Sequence, residues 1–191
     1  MKKTLLSLSL GMALLAGVSA VQAQDANGAG GFVSATAGSA HWDANGSTAN
    51  RFAYGVSGGY RWSLDANQSL GAEIGYVNFG KLRASNDFAR ETLDADAGTL
   101  GANYRYTFQD SYYVEGRGGY MRWHAKDKVT VYGLGHASDS TDGNGWYAGA
   151  AVGRDFTPNF GVKVGYDFHR ANGDNDHVNF GVASVGAEYR F

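Results

Sequence analysis

Short runs in which every second side chain is apolar recur along this chain, and they leave few architectures open. A period of two is that of a β-strand whose faces meet different media. Residues 51–64 show it most clearly: Phe52, Tyr54, Val56, Tyr60 and Trp62 share one face, and Arg51, Ala53, Gly55, Ser57, Gly59 and Arg61 the other. The pattern returns from Leu70, Gly98, Tyr112 and Phe160, and again in the last strand, where Ala183, Val185, Ala187, Tyr189 and Phe191 oppose Ser184, Gly186, Glu188 and Arg190. Two weaker runs, 32–42 and 146–156, bring the expected strands to eight. The 29 glycines are interleaved with aromatic and β-branched residues, which argues for strands over disorder, and the single Pro lies in a turn.

The connections alternate in length. Asp65-Ala66-Asn67, Gln109-Asp110-Ser111 and Thr157-Pro158-Asn159 read as tight turns, whereas 43–50, 80–95, 126–145 and 170–178 read as long polar loops. Short turns at one end and long loops at the other is the layout of an outer-membrane barrel. The fold class expected is therefore all-β, an eight-stranded antiparallel up-and-down transmembrane barrel.

Alternation alone does not say which face points inward, but the residue types do. The charged face is rich in Gly, Ala and Ser, which suits a confined lumen, and the large apolar side chains suit the outside. Aromatic residues gather near strand ends, at Tyr60, Trp62, Tyr106, Phe108, Phe160, Tyr189 and Phe191, as in an interfacial girdle. In lipid every backbone polar group needs a partner, and a closed barrel leaves no edge. Eight strands enclose a space that side chains just fill. The expected interior charges are Arg61, Arg105, Arg117, Lys163 and Arg190 against Glu73, Glu115, Asp167 and Glu188. Buried charges must be paired, so a ladder of ion pairs is expected. It either fills the lumen or acts as a gate whose pairs exchange partners, with Glu73, Arg105, Glu115, Arg117, Lys163 and Asp167 as the candidate residues.

The N-terminus reads as a secretion signal: Lys2 and Lys3, an apolar run over residues 5–18, and Val21-Gln22-Ala23 as a small-x-small cleavage site. The apolar run is short for a membrane helix. The expected domains are a signal peptide at 1–23 and a barrel at 24–191. Cleavage removes two lysines and no acid, taking the formal charge from −2 to −4. With no basic stripe in view, no nucleic-acid partner is expected. The chain has no Cys, so sheet closure or burial in lipid must stabilise a secreted domain that has no disulfide.

Several stretches together resemble the transmembrane domain of the outer membrane protein A family. They are Ser57-Gly58-Gly59-Tyr60, Gly71-Ala72-Glu73-Ile74-Gly75-Tyr76, Gly118-Gly119-Tyr120-Met121-Arg122-Trp123, Phe156-Thr157-Pro158 and the ending Ser184 to Phe191, and their order and spacing span nearly all of the mature chain. The resemblance implies an eight-stranded barrel in which a lumenal glutamate, matched by Glu73, pairs with basic residues as a gate. Lys163 stands where the family has a pairing arginine, and Arg117 matches another interior arginine. Asn103 stands where the family has a lysine, and Gly153 where it has a glutamate, so one switching pair of the family is missing. The family's periplasmic peptidoglycan-binding domain is expected to be absent, because the chain stops at Phe191. The C-terminal Tyr189 and Phe191 look like the signal read by the outer-membrane assembly machinery.

Nothing in the spacing of His41, His124, His136, His169 and His177 fixes a catalytic triad, and polar residues near the outer strand ends explain them, so no enzyme is expected. Residues 139–144 faintly resemble a calcium loop but lack its ligand pattern and closing Glu. They read as a loop tip, and no metal or cofactor is expected. The leading function is a structural barrel of the cell outer membrane, plugged or with a small gated ion path. It is expected to be a monomer among outer-membrane lipid and lipopolysaccharide. A second reading is an adhesin or receptor whose loops bind host, phage or lipopolysaccharide. A soluble ligand carrier is a distant third.

Overall fold

The alternating runs pair with their sequence neighbours, and the last closes on the first. A computed structural model describes residues 28–44, 47–85, 89–109, 111–131, 135–172 and 177–191. The expected signal peptide and the Asp174-Asn175-Asp176 stretch lie outside the described residues. The strands are β1 (Gly30–Ala44), β2 (Ser47–Ser63), β3 (Gln68–Ser85), β4 (Ala89–Phe108), β5 (Tyr112–Val131), β6 (Gly135–Asp155), β7 (Phe160–Asn172) and β8 (His177–Arg190). They form one closed antiparallel barrel in sequence order. Closure runs from Phe32 opposite Arg190 to Asp43 opposite Asn179, and the Phe191 amide donates to the Gly31 carbonyl. The Phe191 end is thus tied into the sheet and leaves no open edge there.

The faces fall as the residue types require. Phe52, Ile74, Leu100, Val152, Val164 and Val185 point outward, Phe52 at 68% exposure, whereas Arg61, Glu73, Arg105, Glu115 and Glu188 are buried in the lumen. One aromatic ring surrounds the short-turn end, with Trp62, Tyr106, Phe108, Tyr112, Phe160 and Tyr189 exposed. A second, of Phe52, Tyr54, Tyr76, Tyr120 and Trp146, surrounds the other end. Between the rings a strand such as β7 spends nine residues, 160–168, which is what a tilted strand needs to cross a bilayer. An outer surface this apolar rules out the soluble carrier.

The loops differ from expectation. Residues 80–85, 89–95, 126–131 and 135–145, read from sequence as loops, continue β3, β4, β5 and β6. Lys81 faces Asp94, Ala89 faces Val131, and Val131 faces Gly135, so a four-stranded sheet extends past the second aromatic ring. The stretch taken for a loop tip at 139–144 lies inside β6, its residue 142 opposite His124. Beyond the membrane both faces of a strand meet water, so the polarity contrast vanishes, yet each added ladder bond still satisfies two backbone groups. A bulge between Asn78 and Lys81 marks where β3 leaves the barrel wall. Gly80 takes φ 84° there, and a Cβ on it would lie 2.5 Å from the Phe52 carbonyl. Only glycine fits that turn of the backbone.

Candidate functional site in the barrel lumen

Inward residues of all eight strands meet in the lumen, and near the short-turn end they form a dense ionic cluster. Arg61 on β2 is its centre. Its Nη1 donates to Glu188 (2.7 Å), its Nη2 to Glu115 (2.8 Å) and its Nε to the Asn103 amide oxygen (2.7 Å). The guanidinium also lies 3.9 Å above the Phe32 ring. Lys163 on β7 donates to Glu115 (2.8 Å) and sits 3.5 Å from Glu188. Below them Arg105 stacks 3.5 Å over Tyr113, reaches Glu188 at 3.2 Å and pairs with Asp155. Arg190 completes the floor, 2.9 Å from Asp155, and its Nε donates to the Pro158 carbonyl (3.1 Å).

A second cluster lies above. Arg117 grips Asp167 with two parallel bonds of 2.7 and 2.6 Å. This fork geometry is the strongest form of the pair. Glu73 lies 3.8 Å from Arg117 and accepts from the Tyr147 hydroxyl (2.8 Å) and the Asn103 amide (2.9 Å). Asn103 therefore joins the two clusters, accepting from Arg61 below and donating to Glu73 above. One small cavity, of about 10 Å³, lies between them beside Glu115, Lys163, Arg117 and Asp167, and a second, of about 30 Å³, lies between the upper cluster and His169. Neither has room for more than a water or two.

The structure thus brings the six candidate gate residues into one lumen but divides them. Glu115, Lys163 and Arg105 belong to the lower cluster, and Glu73, Arg117 and Asp167 to the upper. Lys163, which the resemblance makes the partner of Glu73, bonds to Glu115 instead. Sequence reasoning missed Asp155, which holds both Arg105 and Arg190 and makes the lumenal charges among the described residues five against five. Its strand, β6, reads Ala-Gly-Ala-Ala over residues 148–151, and so gives little contrast to mark its faces. The glycine at 153 has a local cause: a Cβ there would lie 2.3 Å from the Tyr113 ring. Tyr113 fills the space a larger side chain would need.

Sequence reasoning also missed an apolar collar above the upper cluster. Phe79 stacks on Phe180 at 4.9 Å and meets the His169 ring edge-on at 5.0 Å. Met121, Val182 and Ala53 pack around them. Their parity was readable from the strands, but their convergence from β2, β3, β5, β7 and β8 was not. His169, read as a rim residue, is buried within this collar. His41 hydrogen-bonds Asn50 (2.8 Å), and His124 hydrogen-bonds Asp142 outside the lumen. Tyr189 faces outward at 50% exposure, its ring 5.2 Å from that of Phe191.

A closed eight-stranded barrel with an apolar exterior, two aromatic rings and a lumen packed with paired charges is an outer-membrane β-barrel. The chain belongs to the outer membrane protein beta-barrel domain family, which it matches over residues 10–191, and its location is the cell outer membrane. It is 28% identical over 194 residues to the attachment invasion locus protein of Yersinia enterocolitica, covering the whole of both chains. It is 27% identical over 146 residues to outer membrane protein A of Salmonella typhi, covering 74% of this chain and 41% of that protein. The chain therefore spans about two fifths of the length of that relative. Among solved structures, Ail of Yersinia pestis superposes with a TM-score of 0.59 at 18% identity, covering 85% of this chain and 99% of that one. Neisserial surface protein A superposes with a TM-score of 0.56 at 18% identity, covering 84% and 97%.

Proposed function

We propose that this barrel is a structural, non-catalytic component of the outer membrane whose lumen is closed to solutes. The observation that supports this most directly is the lumen's two seals in series, a charge-matched ionic floor and an apolar collar at Phe79, Met121 and Phe180. Ion passage requires both to yield. Within the ionic part the pairs that can exchange are Arg117 with Asp167 and Lys163 with Glu115, which face each other across the smaller cavity. Glu73 holds Arg117 from the other side. In planar bilayers the folded protein is expected to show no steady conductance. Glu73→Ala, which leaves Arg117 held by Asp167 alone, is expected to loosen the ionic seal and so to give brief ion-conducting events, without passage of sugars, whenever the collar also opens. A steady, porin-sized current through the wild type would overturn the closed-lumen reading.

A second reading is supported by the sheet that β3–β6 carry beyond the membrane. It carries strand backbone well above the lipid, where a surface-binding function would act. One relative is named for attachment and invasion, and Ail has been solved in complex with the heparin analogue sucrose octasulfate. By this reading the extended hairpins bind a host or phage component while the barrel anchors them. Replacing their tips and finding cell binding unchanged would remove it. We assign the N-terminal segment to a cleaved secretion signal, and Tyr189 and Phe191 to recognition by the assembly machinery, with the folded barrel acting as a monomer.

A further inference from the structure

His169 is a titratable side chain set inside an apolar seal. It stands on β7, opposite Tyr147 on β6 and Phe180 on β8, and is 3% exposed. Its ring meets Phe79 edge-on at 5.0 Å and lies nearly parallel to the Tyr147 ring at 5.9 Å. The rest of the collar, from Ala40, Ala53 and Ala97 to Met121, Phe180 and Val182, carries no charge. The His169 Nδ1 is buried and has no hydrogen-bond partner. A buried polar atom left unmet costs stability, and a phenylalanine would fill the same space without that cost.

The cavity of about 30 Å³ gives that ring somewhere to go. Its lining runs from His169 to Asp167 and Arg117, and Asp167 stands two residues before His169 on the same face of β7. The titratable and charged groups that face His169 are few. They are Asp167 on its own strand, Arg117 on β5, Tyr147 on β6 and, behind Tyr147, Glu73 on β3, which accepts from the Tyr147 hydroxyl. The other strands at the cavity contribute Thr36, Ser57, Thr99 and Ser184, none of which changes charge. Asp167 is at present gripped by Arg117, and Arg117 has a second acid, Glu73, at 3.8 Å.

We propose that His169 is an acid-operated latch: protonation draws its ring out of the collar and into the cavity, where it takes Asp167 from Arg117 and opens an ion path through the lumen. The inference rests on the two-seal reading above. An imidazolium left among Phe79, Phe180 and Met121 has neither water nor a counter-ion, so the closed collar disfavours the proton. In the cavity the same ring donates to a carboxylate oxygen. Its departure strips Phe79 of its edge contact and loosens the collar. Arg117, its fork on Asp167 broken, turns to Glu73 or across the smaller cavity to Glu115, which is the exchange of partners that the ionic seal requires. One proton thus acts on both seals. The open state binds one proton more than the closed state, so a fall in pH favours opening. The bias sets in below about pH 6.5, the ordinary imidazole value, and grows about tenfold per pH unit until the buried ring itself protonates.

The test records the full chain in planar bilayers at about pH 7.5 and about pH 5, on either side of the imidazole range, as wild type, His169→Phe, His169→Gln and His124→Gln. The boiled-versus-unboiled gel shift is measured at both pH values, so that opening is told apart from unfolding. The wild type is expected to be silent at the higher pH and to show ion-conducting bursts at least about tenfold more often at the lower, with its gel shift kept. His169→Phe refills the collar with a ring that takes no proton and should stay silent at both. His169→Gln, polar but without a titration, should show the same burst frequency at both, and it carries the comparison if His169→Phe gives no gel shift. His124→Gln, which removes a histidine outside the lumen, should respond to acid as the wild type does. Acid bursts undiminished in His169→Phe or His169→Gln would assign the response to the carboxylates and overturn the proposal. So would loss of the wild-type gel shift in acid. Wild-type silence at both pH values, with the gel shift kept, would overturn the proposal alone, whereas a steady current at both would overturn the closed lumen with it.

Discussion

Glu188 carries more of the lumen than any residue singled out by the resemblance. Arg61 at 2.7 Å, Arg105 at 3.2 Å, Lys163 at 3.5 Å and Arg190 at 3.6 Å all converge on its carboxylate. Removing one partner of a buried ion pair strands the other in a medium that cannot solvate it, at a cost of about 3–5 kcal/mol. Glu188→Gln keeps the shape and removes the charge, so it is expected to lose stability of that order, read as a shift in the urea midpoint of the micelle-bound barrel. Asp167→Asn should cost less, because Arg117 keeps Glu73 nearby and is 19% exposed at its side chain. Equal losses from the two would show that convergence on Glu188 has no special weight. That these side chains face inward was legible from parity. That four cations share Glu188 was not, because Arg61 and Glu188 are 127 residues apart and meet only through the stagger of the closed sheet.

The strands themselves divide at the second aromatic ring. Below it each strand shows apolar and polar sides, because lipid and lumen are different solvents. Above it β3–β6 run on through water with no such contrast, and this is why the expected loops proved to be sheet. Those outer parts contribute nothing to the lumenal clusters. Excising residues 127–139 and joining β5 to β6 with an Asn-Gly turn, which suits a two-residue hairpin, is expected to leave the gel shift and the unfolding midpoint unchanged. A fall in midpoint as large as that of Glu188→Gln would show that the extended sheet supports the barrel.

As a whole the molecule is a sheet closed between two media, and its exterior is as specific as its lumen. Val164 lies midway along the apolar stretch of β7, 58% exposed and flanked by Val152 and Val185 on the neighbouring strands. Val164→Arg is expected to destabilise the folded barrel in bilayers by about 2–4 kcal/mol, the cost of a cation at the membrane midplane. The same change at Asn172, above the ring, should cost little. Comparing the two unfolding midpoints in one lipid measures where the belt ends, and similar values would place that end wrongly.

The amino-acid order by itself determined the number of barrel strands, the short turns, the sign of each face and nine of the ten lumenal charges, because all of these follow from local parity and from which side chains tolerate lipid. Asp155 escaped because a Gly/Ala strand carries no polarity to read. Closure of the barrel decided the rest: which acid meets which base, the apolar collar drawn from five strands, and the displacement of Lys163 from Glu73 to Glu115. Each of these depends on register between distant segments, and register is set by how all eight strands close together.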